Sequence, residues 1–428
     1  MDTLVIGGGA AGLAAAIAAA ECGERVTVLE RNRRPLKKLC VTGNGRGNLL
    51  NSGVPLYYGD SDFALGVLEH MPFARLYAFL ENAGITLMEE DEGRIYPAAL
   101  LASVAAEALL RHAERLGVTF CVNTRAMEAK KLEGRFCVRA VESIYLQDSI
   151  KANGKLKKGE QTAEREVAFT ADRLIVTVGG AAAPAQGTDG TAYGLLCGFG
   201  HRLTPLRPAL CALVTEEAPI AGLAGQRVRA RLALASQKGE ILHQSEGEAL
   251  FAKDGVSGIA AMQLARFVTE GCELHMDLRQ AVMGTRARYE GAREWAEARQ
   301  RAQGSDRTRA QELFTGAATP ALADALLRMA GGAAPARLAD AMEHFTLKVL
   351  GTRGMEAAQV TAGGIETVDF DCATMQSKRE SGLYAAGEAL DVDGDCGGFN
   401  LMFALASGLL AGGAARRDVC GWARDVRG

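Results

Sequence analysis

Three glycines and one carboxylate near the start of the chain carry its clearest chemistry. Gly7, Gly9 and Gly12 stand in G-x-G-x-x-G spacing directly after the apolar run Leu4-Val5-Ile6, and Glu30 closes a second apolar run, Arg25 to Leu29. Gly7 permits a sharp turn, Gly9 lets a phosphate approach the backbone, and Gly12 lets a helix pack closely on the preceding strand. The helix that follows must present unpaired N–H groups and a partial positive charge at its N-terminus, which suits a pyrophosphate. A carboxylate about 20 residues past the glycines accepts hydrogen bonds from both ribose hydroxyls. The spacing therefore calls for an adenine dinucleotide with a free ribose 2′-hydroxyl.

Two further stretches can serve the same ligand. Arg31 to Asn51 alternates glycine with Thr42, Asn44, Arg46 and Asn48, a loop dense in N–H and amide donors around one guanidinium. Such a loop suits phosphate and the polar edge of a ring. Near the other end, Leu383 to Ala386 reads as a strand ending in Gly387-Glu388; an acidic loop, Asp391 to Asp395, leads to Gly397-Gly398-Phe399-Asn400, which opens a long apolar helix. A second helix N-terminus beside Asn400 suits the negative charge that develops at N1 and O2 of a reduced isoalloxazine. Nicotinamide has no such need, so these residues favour FAD. Candidate proton donors are Tyr96, Cys396 and His344, and spacing selects none of them. The six histidines are scattered, and no His/Cys cluster or Ser-His-Asp pattern calls for a metal.

The elements that hold these residues follow from periodicity. The first stretch reads strand, glycine turn, helix, strand. Helical patterns follow at 62–68 and 73–83, then a turn and strand over Leu87 to Pro97, an amphipathic helix over Ala99 to Leu116, and a strand over Gly117 to Asn123 parallel to the first two. From Arg135 to Val178 the period changes to two, around a polar tip at 151–161, and the chain returns through the buried run Leu174-Ile175-Val176. An antiparallel meander of this kind does not belong to a simple NAD dehydrogenase domain and favours FAD. Residues 200–256 alternate as short strands. Residues 257–348 read as helical, with breaks at Gly304-Ser305, Pro320 and Gly331-Gly332, and their many charges fit a solvated helical face. The expected α/β architecture is a FAD-binding Rossmann-like domain with a meander (1–190 and 356–428), carrying an inserted β domain (191–256) and a helical subdomain (257–355).

Composition narrows the class. A chain of 428 residues with 48% hydrophobic residues has room for two or three cores. Its formal charge of −3 and lack of a basic block argue against a nucleic-acid partner, and no apolar run outside the nucleotide turn is long enough to span a bilayer. The apolar N-terminus lacks the basic flank of a signal peptide. Ten cysteines without a C-x-x-C pair read as reduced, buried thiols of a cytoplasmic protein. Nothing specifies an oligomeric state.

Taken together, VIGGGAAGLAAA, TGNGRGN, DEGRIYP, LIVTVGG, GEALFAKDGVSG, QVTAGGI and GLYAAGEALDVDG…GGFN resemble the BaiN-type FAD-dependent oxidoreductases, a family that includes a bile-acid-pathway enone reductase and an aminoacetone oxidase. The resemblance runs from Leu4 to Gly413. It implies FAD contacts at Ala11, Glu30, Arg31, Lys38, Gly43, Gly45, Asn48, Asn400 and Leu401, with Ala126 as a main-chain contact to adenine. Where the family commonly has G-R-C-N, this chain has Gly45-Arg46-Gly47-Asn48, so no role for that thiol carries over. The expected function is reduction of a conjugated C=C bond in a small molecule by hydride transfer through flavin N5, with NAD(P)H as transient reductant because a second glycine fingerprint is missing. The alternatives are an amine or amino-ketone oxidase and, in another class, a flavin-carrying nucleic-acid-associated or assembly factor.

Overall fold

The computed structural model describes residues 1–144, 163–303 and 310–413. The chain forms two compact units, Met1–Leu206 with Val360–Gly428, and Arg207–Gln359. The expected meander tip at 151–161 and the break at Gly304-Ser305 lie outside the described residues.

The first unit is built on a parallel sheet of β1 (Asp2–Ile6), β2 (Arg25–Leu29), β3 (Thr119–Cys121), β4 (Arg173–Val176) and β5 (Leu383–Ala385). Their spatial order is β3-β2-β1-β4-β5, with every neighbouring pair parallel. This is the Rossmann order, and it places the switch in strand direction of travel at the C-terminal end of β1, where ligands bind in such sheets. The central strands are buried on both faces, which explains their unbroken apolar runs.

Two helices cross on this sheet. The first, α1 (Ala10–Glu21), is buried continuously from Ala11 to Ala19 because the sheet covers one side and α2 (Phe399–Gly413) the other. Small residues make the crossing possible. A Cβ on Gly408 would lie 2.3 Å from the Ala11 carbonyl oxygen, and one on Gly412 would lie 2.2 Å from that of Ala15. One turn of spacing between these glycines thus opens a groove for the backbone of α1.

The meander takes its expected place. Thr124–Leu132, Arg135–Ile144 and Ala163–Ala171 form an antiparallel sheet that feeds β4. The segments expected as helices appear at Ser61–His70, Phe73–Asn82 and Ala102–Arg115, and Leu87–Pro97 is a hairpin of Leu87–Glu90 with Arg94–Pro97.

The second unit departs from expectation. Its core is a closed six-stranded antiparallel barrel of Leu213–Thr215, Gly255–Ser257, Ile241–Ala252, Arg227–Ala235, Glu273–Asp277 and Phe345–Thr352. The last two strands fall inside the stretch 257–355 expected to be helical. They are short, Glu273–Asp277 offers only two inward residues, and both lie beside helices at Arg279–Met283, Ala292–Gln303, Pro320–Ala330 and Pro335–Glu343 whose longer periodicity dominates the sequence. Barrel closure needs them, since Arg227–Ala235 pairs with the first and Leu213–Thr215 with the second.

Cys40, Cys121, Cys137, Cys197, Cys211, Cys272, Cys372 and Cys396 are free. No helix among the described residues is long and apolar enough to cross a membrane.

Candidate functional site

The three fingerprint glycines separate into two that packing demands and one that it does not. Gly7 turns at a φ of +105°, and a Cβ there would lie 2.3 Å from the Thr177 carbonyl oxygen. A Cβ on Gly12 would lie 1.9 Å from the carbonyl oxygen of Gly7, so α1 reaches the turn only because the residue is glycine. Around Gly9, by contrast, no atom lies within 4 Å of an added Cβ, and its φ of −79° suits any residue. The open space sits at the N-cap of α1, where no side chain caps the helix. A cradle of bare backbone N–H groups facing open space fits a pyrophosphate.

Glu30 is buried at the end of β2. Its Oε2 accepts from the Gly8 N–H at 2.8 Å, and its Oε1 accepts from the backbone and side-chain nitrogens of Asn32, both at 2.7 Å. The carboxylate therefore holds the glycine turn at the position where the sequence reading expects a ribose. Next to it, Arg31 is paired with Asp189 at 2.9 Å, and the arginine holds the Asp189 carboxyl far below the usual range. Ala126 lies where the meander's register shifts, between Ala126 and Glu128, which breaks the ladder at the point expected to meet adenine.

Lys38 and Glu388, distant in sequence, form an ion pair at 2.7 Å with both side chains mostly buried. Beyond Lys38, the segment Leu39–Gly45 folds into tight turns. Gly43 and Asn44 both take a φ of +56°, and Gly45 and Gly47 follow at +83° and +78°. Successive left-handed residues gather main-chain N–H groups into an anion-binding concavity. A Cβ on Gly45 would meet only the Cys40 carbonyl oxygen, at 4.0 Å. Position 47 is closed to a cysteine, since a Cβ there would lie 2.9 Å from the Ala102 Cα.

Arg46 is committed to its neighbours: it pairs with Glu90, and its guanidinium lies over the Tyr96 ring, 4.4 Å from the centroid. Tyr96 also stands next to the loop, its Cε1 3.6 Å from a Cβ built on Gly43. Burial raises the Tyr96 phenol, against the opposing pull of Arg94 and Arg46, and burial likewise raises the Cys396 thiol. Both keep their protons at neutral pH. His344 belongs to the barrel unit, where it ends helix Pro335–Glu343 and bonds to Asp340 at 3.1 Å. That contact gives it a helix-end role.

The C-terminal cradle differs in detail from expectation. The Asn400 side chain is fully engaged with the acidic loop: its Oδ1 accepts from the Gly394 N–H at 2.8 Å, and its Nδ2 donates to the carbonyls of Gly394 at 2.7 Å and Asp395 at 3.4 Å. What faces outward at this end is main chain. Met402 donates to the Gly398 carbonyl at 2.9 Å, so the N–H groups of Phe399, Asn400 and Leu401 precede the first bond inside α2. Gly398 is required here, because a Cβ would lie 2.5 Å from the Leu50 carbonyl oxygen and 2.7 Å from Asn48 Oδ1. Gly387 admits no side chain either, since its Cβ would meet that of Ala11 at 2.8 Å.

Sequence reasoning missed three contributors: Thr177, which donates to the Gly7 carbonyl at 2.9 Å; Asp189, the partner of Arg31; and Thr361, which bridges to Glu388. Thr177 and Thr361 lay inside quoted motifs, LIVTVGG and QVTAGGI, and Asp189 in none.

A parallel sheet with a glycine turn, an acidic ribose residue and a second N-terminal cradle at the opposite end defines a dinucleotide-binding flavoprotein. The chain belongs to the HI0933-like family: the HI0933-like protein Rossmann domain matches residues 1–414. It is an FAD-dependent oxidoreductase. It is 32% identical to 3-dehydro-bile acid delta(4,6)-reductase of Clostridium scindens, over 96% of this chain and 98% of that protein. It is 22% identical to the ribosomal RNA dihydrouridine synthase of Escherichia coli, over 95% of this chain and 96% of that protein. Among solved structures, 3-ketosteroid-delta4-(5alpha)-dehydrogenase from Rhodococcus jostii matches with a TM-score of 0.46 and 16% identity, covering 99% of this chain and 97% of that one.

Proposed function

We propose that this oxidoreductase reduces a C=C bond conjugated to a carbonyl, with NAD(P)H as transient reductant. Bound FAD would supply hydride exchange at N5. The protein's own part is to bind and orient: α1 and the glycine turn on the pyrophosphate, Glu30 on the ribose, the 43–48 loop and the start of α2 on the flavin end. The observation that carries the reductase over the oxidase reading is the state of the cations. Lys38, Arg46 and Arg94 are each paired with a carboxylate, Glu388, Glu90 and Glu92 respectively. An oxidase often uses a nearby cation to stabilise superoxide, and pairing removes that advantage, as does the acidic loop at 391–395. The bile-acid reductase name of the 32%-identical relative supports the same chemistry.

The test is anaerobic stopped flow. The flavin is bleached with NADH or NADPH and mixed with air-saturated buffer or with a panel of steroid and small enones. Faster reoxidation by an enone is expected; reoxidation much faster by oxygen than by any enone would promote the oxidase reading.

A second reading keeps the bond type and changes the substrate. Uracil has a C5=C6 bond conjugated to its C4 carbonyl, and one relative is named for dihydrouridine in ribosomal RNA. A surface feature favours it: Tyr289 is 88% exposed and follows Arg286 and Arg288, neither of which has an ion-pair partner among the described residues. An exposed ring beside guanidinium groups suits base stacking. Gel shift with ribosomal RNA at low and moderate salt decides it; binding that Tyr289→Ala weakens supports RNA, and no shift at low salt excludes it.

A further inference from the structure

The Lys38–Glu388 pair belongs to a closed circuit of hydrogen bonds with one hydroxyl at its centre. Thr361 sits in the short strand Val360–Ala362 and is 1% exposed. Its Oγ1 accepts from the main-chain N–H groups of Ala181 at 2.8 Å and Ala182 at 2.9 Å. Its own N–H donates to Glu388 Oε1 at 2.9 Å. Glu388 Oε2 accepts from Lys38 Nζ at 2.7 Å, and Lys38 Nζ also donates to the Ala182 carbonyl at 3.4 Å, which closes the circuit. Segments around residues 38, 181, 361 and 388 meet here through direct hydrogen bonds.

The space is as constrained as the bonding. A Cβ on Gly180 would lie 2.3 Å from Thr361 Oγ1 and 2.7 Å from Glu388 Oε1. Glycine at 180 and a hydroxyl at 361 are therefore matched. The Ala182 N–H is buried, so removing the hydroxyl leaves a donor with no acceptor. It also frees the Ala181–Ala182 backbone, and with it the Ala182 carbonyl that accepts from Lys38 Nζ, while the main-chain bond from Thr361 N–H to Glu388 remains.

We propose that Thr361 is a positioning residue of the cofactor cradle: its hydroxyl fixes the Ala181–Ala182 backbone, whose Ala182 carbonyl takes the Lys38 ammonium, and its main-chain N–H holds Glu388, so that the lysine is kept at the dinucleotide groove. The inference rests on reading Lys38 and Glu388 as cofactor residues. Thr361 acts through them, all of its hydrogen-bond partners being protein groups.

The test uses apoprotein titrated with FAD, followed by flavin fluorescence, with thermal unfolding of the apoprotein as a separate readout. Thr361→Val keeps the shape, loses the acceptor, and should weaken FAD binding by about ten-fold or more. Thr361→Ser restores the hydroxyl and should return affinity to within about three-fold of the parent. Lys38→Met weakens binding alone, and in that background Thr361→Val should add less than about three-fold, because residues acting through one contact are not additive. Gly180→Ala, which drives a methyl against both that hydroxyl and Glu388 Oε1, disrupts the same circuit should Thr361→Val not fold. Parental affinity in Thr361→Val or Gly180→Ala, with Lys38→Met weakened, overturns the proposal. So does a Thr361→Val effect equally large with and without Lys38. If Lys38→Met and Glu388→Gln both bind FAD as the parent does, it is the placement of the pair at the cofactor that fails.

Discussion

Replacing Gly9 and Gly12 by alanine, one at a time, separates ligand space from packing space within four residues. At Gly12 the new Cβ would lie 1.9 Å from the Gly7 carbonyl oxygen and 2.7 Å from Thr177 Oγ1. Neither neighbour can yield without moving α1 off β1 or breaking the Thr177 bond to Gly7. Overpacking of this kind costs about 1–3 kcal/mol, and backbone on both sides places this site at the upper end. At Gly9 the new methyl meets no atom within 4 Å, and the backbone is already in a conformation alanine adopts. Apoprotein stability should then change by less than about 0.5 kcal/mol. If the pyrophosphate lies against Gly9, however, the methyl displaces it from the N-terminus of α1. Loss of one or two charge-assisted hydrogen bonds is about 2 kcal/mol, or about 30-fold in Kd. Urea unfolding of apoprotein and FAD titration are the two assays. A Gly9→Ala protein that binds FAD as tightly as the parent, or a Gly12→Ala apoprotein as stable as the parent, would refute the assignment of space at this turn.

Three further outcomes follow from single contacts. Glu30→Gln weakens FAD binding by about 1–3 kcal/mol and also lowers apoprotein stability, since Gly8 and Asn32 lose a charged acceptor; FAD titration and urea unfolding measure the two effects. Arg173 is buried with Glu24 at 2.6 Å and donates to the Ala411 carbonyl at 2.6 Å, so Arg173→Met strands a buried carboxylate and should cost about 3–5 kcal/mol in urea unfolding, a loss absent if the pair is solvated. His201 is buried, stacked 4.4 Å from Phe370, and held through Nε2 at 3.0 Å from Ser377 Oγ, and burial lowers its pKa below the ordinary 6.5. The folded state thus prefers the neutral ring: its contribution is complete above pH 6.5 and is lost as pH falls from there through the folded-state value. Melting temperature against pH should show this acid limb, and His201→Gln should flatten it.

The cofactor half of the molecule is legible in the sequence because its signals are local. Gly7, Gly9, Gly12 and Glu30 act through spacing along one β-turn-α-β unit, and the apolar runs of β1, β2 and β4 are continuous because parallel strands are covered on both faces. The helix over 399–413 announces itself by length and composition. The barrel strands Glu273–Asp277 and Phe345–Thr352 were obscured because their alternation is too short to outweigh adjoining helices, and pairing partners come from other parts of the chain. Asn400 shows a subtler limit. Its position at the start of the helix over 399–413 was readable, while its side chain turned back to brace Gly394 and Asp395.

By itself, the sequence determines that this chain builds a dinucleotide cradle with glycine turns at both ends, because φ values, close backbone approach and helix N-termini depend on residues a few positions apart. The tertiary structure alone decides how charge is distributed around that cradle. Lys38 with Glu388, Arg46 with Glu90 and Arg31 with Asp189 join residues from 44 to 350 positions apart, and Thr361 ties the first of these pairs to the Ala181–Ala182 backbone. Which cations remain available to a substrate is a property of distance in space, and no spacing rule along the chain contains it.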